Sequence, residues 1–306
     1  MKYDIAKEYV NIKNYSPFCF INEVSSQYQF SPFLLPFIEY GGEVTPVHPD
    51  TFFDLKLDPA RIVFEKLVYP TSSFRTVFVY DDDLFLKLPL LRKITRGVRD
   101  LSRKQLERSE LAGKLLGLHP RPDFSFLPEI CHYADDDNFN FIERAIANPQ
   151  IFPWFYAIAS RAFGKEFLVN AVKNIISTWM FFASNDLLLE YHTQNILVDA
   201  FGKIYYRDLS DVKSFGDNIL RPSYFDLLEC KGDLFSLIFD RGVCLQNLDH
   251  IVNYGHFGGN EIAEIKDFIN LSAENFGISF PNHSVDFLRD VPERRPQAID
   301  LVSWRQ

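Results

Sequence analysis

The feature that most constrains the fold is a run of strand-period residues with one cation inside it. Arg75-Thr-Val-Phe-Val-Tyr80 is rich in β-formers, Asp81-Asp82-Asp83 can turn, and Leu84-Phe-Leu-Lys-Leu-Pro-Leu90 alternates with period two. The pattern predicts a β-hairpin whose second strand carries Lys87 among Phe85, Leu86, Leu88 and Leu90. A cation in so apolar a setting is costly unless an anionic partner meets it. The competing reading puts Lys87 on the outer face, its stem on the sheet and its head in water. The acid triplet has no EF-hand spacing and reads as a solvated turn, as does Asp135-Asp136-Asp137.

The rest of the 306 residues supports an ordinary globular α+β chain. It is 47% hydrophobic and 16% aromatic, with 31 Phe, enough to bury a core and to exclude disordered and fibrous classes. With 32 Lys and Arg against 41 Asp and Glu, the net charge of −9 argues against a polyanion-binding surface, so no nucleic-acid partner is expected. Acids follow closely on Met1, and the apolar stretch Ile175 to Leu189 is broken by Ser, Asn and Asp. No membrane partner and a cytoplasmic setting are therefore expected. Cys19, Cys131, Cys230 and Cys244 form no CxxC pair and read as buried thiols.

Three segments are expected. Residues 1–70, with short aromatic runs broken by Pro17, Pro32, Pro36, Pro46 and Pro49, read as a loop-rich, substrate-side part. Residues 71–150 read as a β-rich lobe, with a helix near 102–117 opened by the Ser102/Gln105 capping-box pair and a strand at 139–143. Residues 151–306 read as a mainly helical lobe, with helices near 168–183, 222–240 and 259–275 and a second hairpin, Ile196–Asp199 and Lys203–Asp208.

That second hairpin is the most informative stretch. Glu190-Tyr191-His192-Thr193-Gln194-Asn195 precedes its first strand and Asp208 ends its second, and the two ends of a hairpin meet. Glu190, Asn195 and Asp208 would supply hard oxygen ligands of the kind Mg2+ takes, with His192 beside them. A polar hairpin end with ordinary hydrogen bonds is the equally weighted alternative. A second constellation, Thr71-Ser72-Ser73-Phe74-Arg75 followed by Lys87 and Arg99, reads as a phosphate cradle of hydroxyls, a forked guanidinium and a compact ammonium.

Taken in order, Pro70-Thr-Ser-Ser-Phe-Arg75, Leu86-Lys-Leu-Pro-Leu90, Ile94-Thr95-Arg-Gly-Val-Arg99, Glu190-Tyr-His-Thr-Gln-Asn195 and Arg207-Asp208 resemble the motifs of the NRPS-independent siderophore synthetases, the aerobactin-synthetase-like IucA/IucC family. The resemblance frames residues 45 to 215 and is dense at 70–100 and 188–211. It implies an ATP- and Mg2+-dependent ligase that adenylates a carboxylate, often citrate or a derivative, and condenses it with an amine or hydroxyl in siderophore or related small-molecule biosynthesis. Antiparallel hairpins would form the nucleotide site, with helices around them and a helical C-terminal lobe. By position it implies ATP contacts from Ser72, Ser73, Arg75, Lys87, Thr95, Arg99 and Gln194, with His192, Lys87 and Arg99 in the chemistry. Metal ligation falls to Glu190, Asn195 and Asp208, and substrate contact to His48.

The family's doubled His-Pro motif is reduced here to Thr45-Pro46-Val47-His48-Pro49, and Phe52 stands where a Lys would follow. A shortened member leaves room for a homodimer or a partner subunit. The rival reading is a kinase-like small-molecule phosphotransferase, in which Lys87 pairs Glu107 or Glu110. It lacks both the catalytic Asp and a Gly-rich loop before the Lys strand. A nucleotide- or siderophore-binding protein without turnover is the third reading.

Overall fold

The computed structural model describes residues 2–8, 31–71, 73, 75–94, 97–146, 148–222 and 231–280. The fold is α+β, and the chain divides into two compact units, residues 1–114 with 127–152 and residues 115–126 with 153–306.

In the first unit, strands β1 (Phe33–Tyr40), β2 (Glu43–Pro46), β3 (Ile62–Pro70), β4 (Thr76–Val79), β5 (Leu84–Lys87), β9 (Glu129–His132) and β10 (Phe141–Ala145) form one sheet. Their order is β2-β1-β3-β4-β5-β10-β9, and every pairing along it is antiparallel. The hairpin expected from Arg75 onward is β4–β5. Its acid turn is solvated, with Asp83 at φ 53° and Asp82 paired to Lys66 at 2.5 Å. Where the sequence predicts loops and short elements, β1 and β3 run for eight and nine residues. Pro36 sits inside β1 just before a register shift at Phe37/Ile38, a position that tolerates a missing N–H.

One sheet face carries the apolar core of Phe33, Leu35, Val68, Val77, Val79, Leu86 and Leu88. On the other, helix α2 (Arg103–Gly117) packs Leu106 against Leu101 and Ile142. Gln105 Oε1 accepts from the backbone N–H of Ser102, as the capping-box spacing predicts. Pro89 ends β5 earlier than the alternation suggests. The chain continues as β6 (Leu90–Ile94), which pairs β7 (Gly97–Arg99) in a separate two-stranded ribbon. Helix α1 (Pro49–Asp54) begins at His48.

The second unit is built around helix α4 (Lys165–Ser184), whose Leu168, Val172, Ile175, Ile176, Trp179 and Phe182 are buried. Helix α7 (Gly259–Phe276) packs along it. Hairpin β12 (Ile196–Val198) and β13 (Ile204–Tyr206), extended by the parallel β8 (Phe124–Phe126), has a wholly buried first strand and an exposed turn at Phe201. Its turn closes on Asp199, whose Oδ1 accepts from the N–H groups of Phe201 and Lys203, and on Gly202 at φ +78°. The two-residue strand β11 (Phe152–Pro153) leads into helix α3 (Trp154–Ala159), which precedes α4. After it come α5 (Lys231–Ile238), a π-helix (Phe239–Leu248) and α6 (Asp249–Asn253). Among the described residues no helix is long and apolar enough to cross a membrane.

Candidate functional site

The first group of polar side chains belongs to the β-rich unit. Thr71 bonds Thr76 O through its N–H (3.1 Å) and hydroxyl (2.9 Å), and accepts from Ser73 N–H, which fixes the turn before β4. Leu88 N–H donates to Arg75 O at 2.7 Å, holding that turn against the end of β5. Arg75 Nη1 donates to Asp100 O at 2.7 Å, and Leu90 pairs with Arg99. Arg75, Lys87 and the Arg99 backbone are therefore gathered at one end of the sheet. Ser72 and Thr95 lie outside the described residues, and of Arg99 only the backbone is described.

Lys87 is 1% exposed, so the outer-face reading does not hold. Thr76, Lys87, Ile142 and Cys131 face one another in register, and so do Phe78, Phe85, Arg144 and Glu129 two residues along. All eight project from the α2 side. On that side Glu129 Oε1 accepts from Arg144 Nε at 2.6 Å and its other oxygen accepts from the Ser109 hydroxyl of α2, a dry ionic link. Burial pushes the Cys131 thiol up to about 12, the Glu129 and Glu110 charges add to it, and the Lys87 charge opposes it. Arg144 and Glu129 escaped the sequence reading because their pairing depends on strand register across 15 residues.

His48 is 3% exposed and caps α1, its Nδ1 accepting from Asp50 N–H at 3.2 Å, with the Phe33 ring edge-on.

The second group lies in the helical unit, at the open end of β12–β13. His192 starts the 3-10 turn Thr193–Asn195; Asn195 N–H donates to His192 O, and Asn195 Nδ2 to Glu190 O. Arg207 donates from its backbone N–H to Asn195 O and from Nε to Gln194 O, tying that turn to the end of β13. Asp208 follows at φ 77° and accepts from the Ser210 hydroxyl at 2.9 Å. The hairpin ends therefore meet as the spacing predicts.

Glu190 is held on both sides, Oε1 lying 3.2 Å from His192 Nε2 and Oε2 3.1 Å from Lys213 Nζ. Burial raises its carboxyl, but the charges of Lys213, His192 and Arg241 outweigh burial and keep it well below the usual carboxylate range. Lys213 reaches it through a bridge between Leu188 and Lys213, a contact no local motif announces. The Tyr206 hydroxyl is fully buried and without a hydrogen-bond partner among the described residues. Burial and the charges of Asp211, Asp208 and Glu190 hold it protonated, as a donor. No group of three or more His, Cys, Asp or Glu side chains is arranged to hold a metal ion among the described residues.

Residues 57–125 match the model of the IucA / IucC family. The structure is similar to that of an ATP-bound aerobactin synthetase, IucA, from a hypervirulent pathotype of Klebsiella pneumoniae, with a TM-score of 0.55 at 17% identity over 76% of this chain. This chain spans about half of that enzyme, 54% of its length. No curated protein sequence gives a significant match. The family resemblance is borne out over residues 57–125, which hold the IucA / IucC sequence pattern, on a chain whose fold is similar to part of an aerobactin synthetase.

Proposed function

We propose that the protein is an ATP-dependent ligase of the siderophore-synthetase type, which adenylates a small-molecule carboxylate and passes the acyl group to an amine or hydroxyl. The observation that carries this reading is the family match over residues 57–125, which takes in the Thr71–Arg75 turn, the buried Lys87 and the Arg99 strand. In the proposed reaction a carboxylate oxygen attacks the α-phosphorus and pyrophosphate leaves. The nucleophile then attacks the acyl carbon and expels AMP.

Negative charge builds on the α-phosphate and the leaving pyrophosphate, where fixed cations stabilise it. Ser72, Ser73, Arg75, Lys87, Thr95 and Arg99 are assigned to the phosphates, with Gln194 beside the nucleotide. His192, oriented by Glu190, is assigned to the carboxylate under activation. Glu190 has both oxygens engaged and fits the role of orienter better than that of open ligand.

Mg2+ takes one or two carboxylates and completes its shell with water and phosphate oxygens. Asp208 with the Asn195 side-chain oxygen fits that need, and the Tyr206 hydroxyl, which has no hydrogen-bond partner among the described residues, can donate to a bound water. When bound, the ion would neutralise phosphate charge. A cytoplasmic setting, where ATP is available, and a second copy or partner subunit completing the substrate side belong to the same proposal.

The test is nucleotide product identity. The intact chain is incubated with Mg·ATP and a panel of carboxylates and amines that includes citrate, and AMP is separated from ADP. Carboxylate-dependent AMP supports the ligase, whereas ADP transfers the protein to the phosphotransferase class.

A further inference from the structure

The segment Phe239–Leu248 winds as a π-helix, closed at its end by Asp249 N–H donating to Cys244 O. Helices of this type are rare and concentrate at functional sites. This one is fitted to the loop that carries Glu190 and His192. A Cβ on Gly242 would lie 3.4 Å from Tyr191 N, so at this position the helix backbone packs directly against the loop. Asn247 Nδ2 donates to Tyr191 O at 2.7 Å and to Gly242 O at 2.6 Å. Positions five apart point about 140° away from each other around an α-helix. The wider winding turns Gly242 and Asn247 toward the same residue, Tyr191, which gives the unusual helix a physical purpose.

The residue before Gly242 is Arg241, as the residue before Tyr191 is Glu190. Arg241 is exposed and forms no hydrogen bond or ion pair among the described residues, while both Glu190 oxygens are engaged by His192 and Lys213. The field of Arg241 nevertheless reaches Glu190. The charges of Asp208 and Asp211 also act at this site, and with both Glu190 oxygens taken Arg241 keeps a guanidinium open to solvent on a molecule of net charge −9.

We propose that Arg241, presented by the π-helix beside the Glu190–His192 loop, is an anion-binding residue of this site that grips a carboxylate or phosphate group of the substrates. A guanidinium fork suits either group in a bidentate grip. The inference rests on the ligase reading for the site's purpose, and its test is binding rather than turnover.

Affinities of the intact chain for Mg·ATP, pyrophosphate and citrate are measured by titration calorimetry for wild type, Arg241→Gln and Arg241→Lys. Because Arg241 is exposed, both variants should fold, which circular dichroism checks. Arg241→Gln should weaken at least one anion class about tenfold or more, with Arg241→Lys recovering part of the loss. Loss confined to citrate assigns the carboxylate, and loss shared by ATP and pyrophosphate assigns the phosphates. Wild-type binding that Arg241→Gln leaves within about twofold overturns the inference while leaving the ligase intact. A wild type that binds none of the three overturns it as well. Production of ADP in the product assay would sink the ligase reading on its own.

Discussion

A lysine with 1% exposure at the end of a strand is expensive to keep, and Lys87 is that lysine. Its place in register with Thr76 and Ile142, on the face bearing the Arg144–Glu129 link, makes it part of a preorganised charge array. Lys87→Met keeps much of the stem and removes the charge. Turnover is expected to fall about a hundredfold or more, with an unchanged far-ultraviolet spectrum. Unaltered turnover in the folded variant would remove Lys87 from the phosphate site. Asp208 sits at φ 77°, a conformation that asparagine also tolerates, so Asp208→Asn tests charge without straining the backbone. The Mg2+ concentration giving half-maximal activity should rise about tenfold, and an unmoved titration would take Asp208 off the ligand list.

The hairpin β12–β13 depends on a turn as much as on its strands. Gly202 combines φ +78° with a Cβ position 3.5 Å from Ala171 in α4, so a side chain there meets both backbone strain and a packed helix. Gly202→Val should lower stability by about 1–2 kcal/mol, read as a lower urea midpoint with unchanged slope. Both hairpins, α2, α4 and α7 were legible because their signals are local: alternation, a capping pair, a turn glycine and helical spacing. The two polar groups were legible for the same reason, since hairpin ends meet by construction. Strands β1 and β3 were hidden because Pro36 inside β1 mimics a loop signal and its compensation, the register shift, appears only in the sheet. Lys213, Arg144 and Glu129 were missed because a bridge at Leu188 and a strand register, both long-range, bring them to their partners. The π-helix has no local signature, and its reason lies in Tyr191, about fifty residues away.

At the scale of the molecule, acid stability should carry the mark of His250. Its ring is 2% exposed, in α6 against Phe155, and burial lowers its pKa to about 4 from 6.5. The unfolded chain therefore takes up this proton first as the pH falls. Stability should drop between pH 6.5 and 4 by up to about 3 kcal/mol, a slope that His250→Gln flattens. The proposed chemistry, adenylation of a carboxylate, is asked of a chain that spans about half of the aerobactin synthetase it resembles in fold. The most direct measurement is carboxylate-dependent exchange of labelled pyrophosphate into ATP by the intact protein. Exchange is expected to require Mg2+ and a carboxylate such as citrate and to be lost in Lys87→Met. Accumulation of ADP with no exchange, across the carboxylate panel, would contradict adenylation.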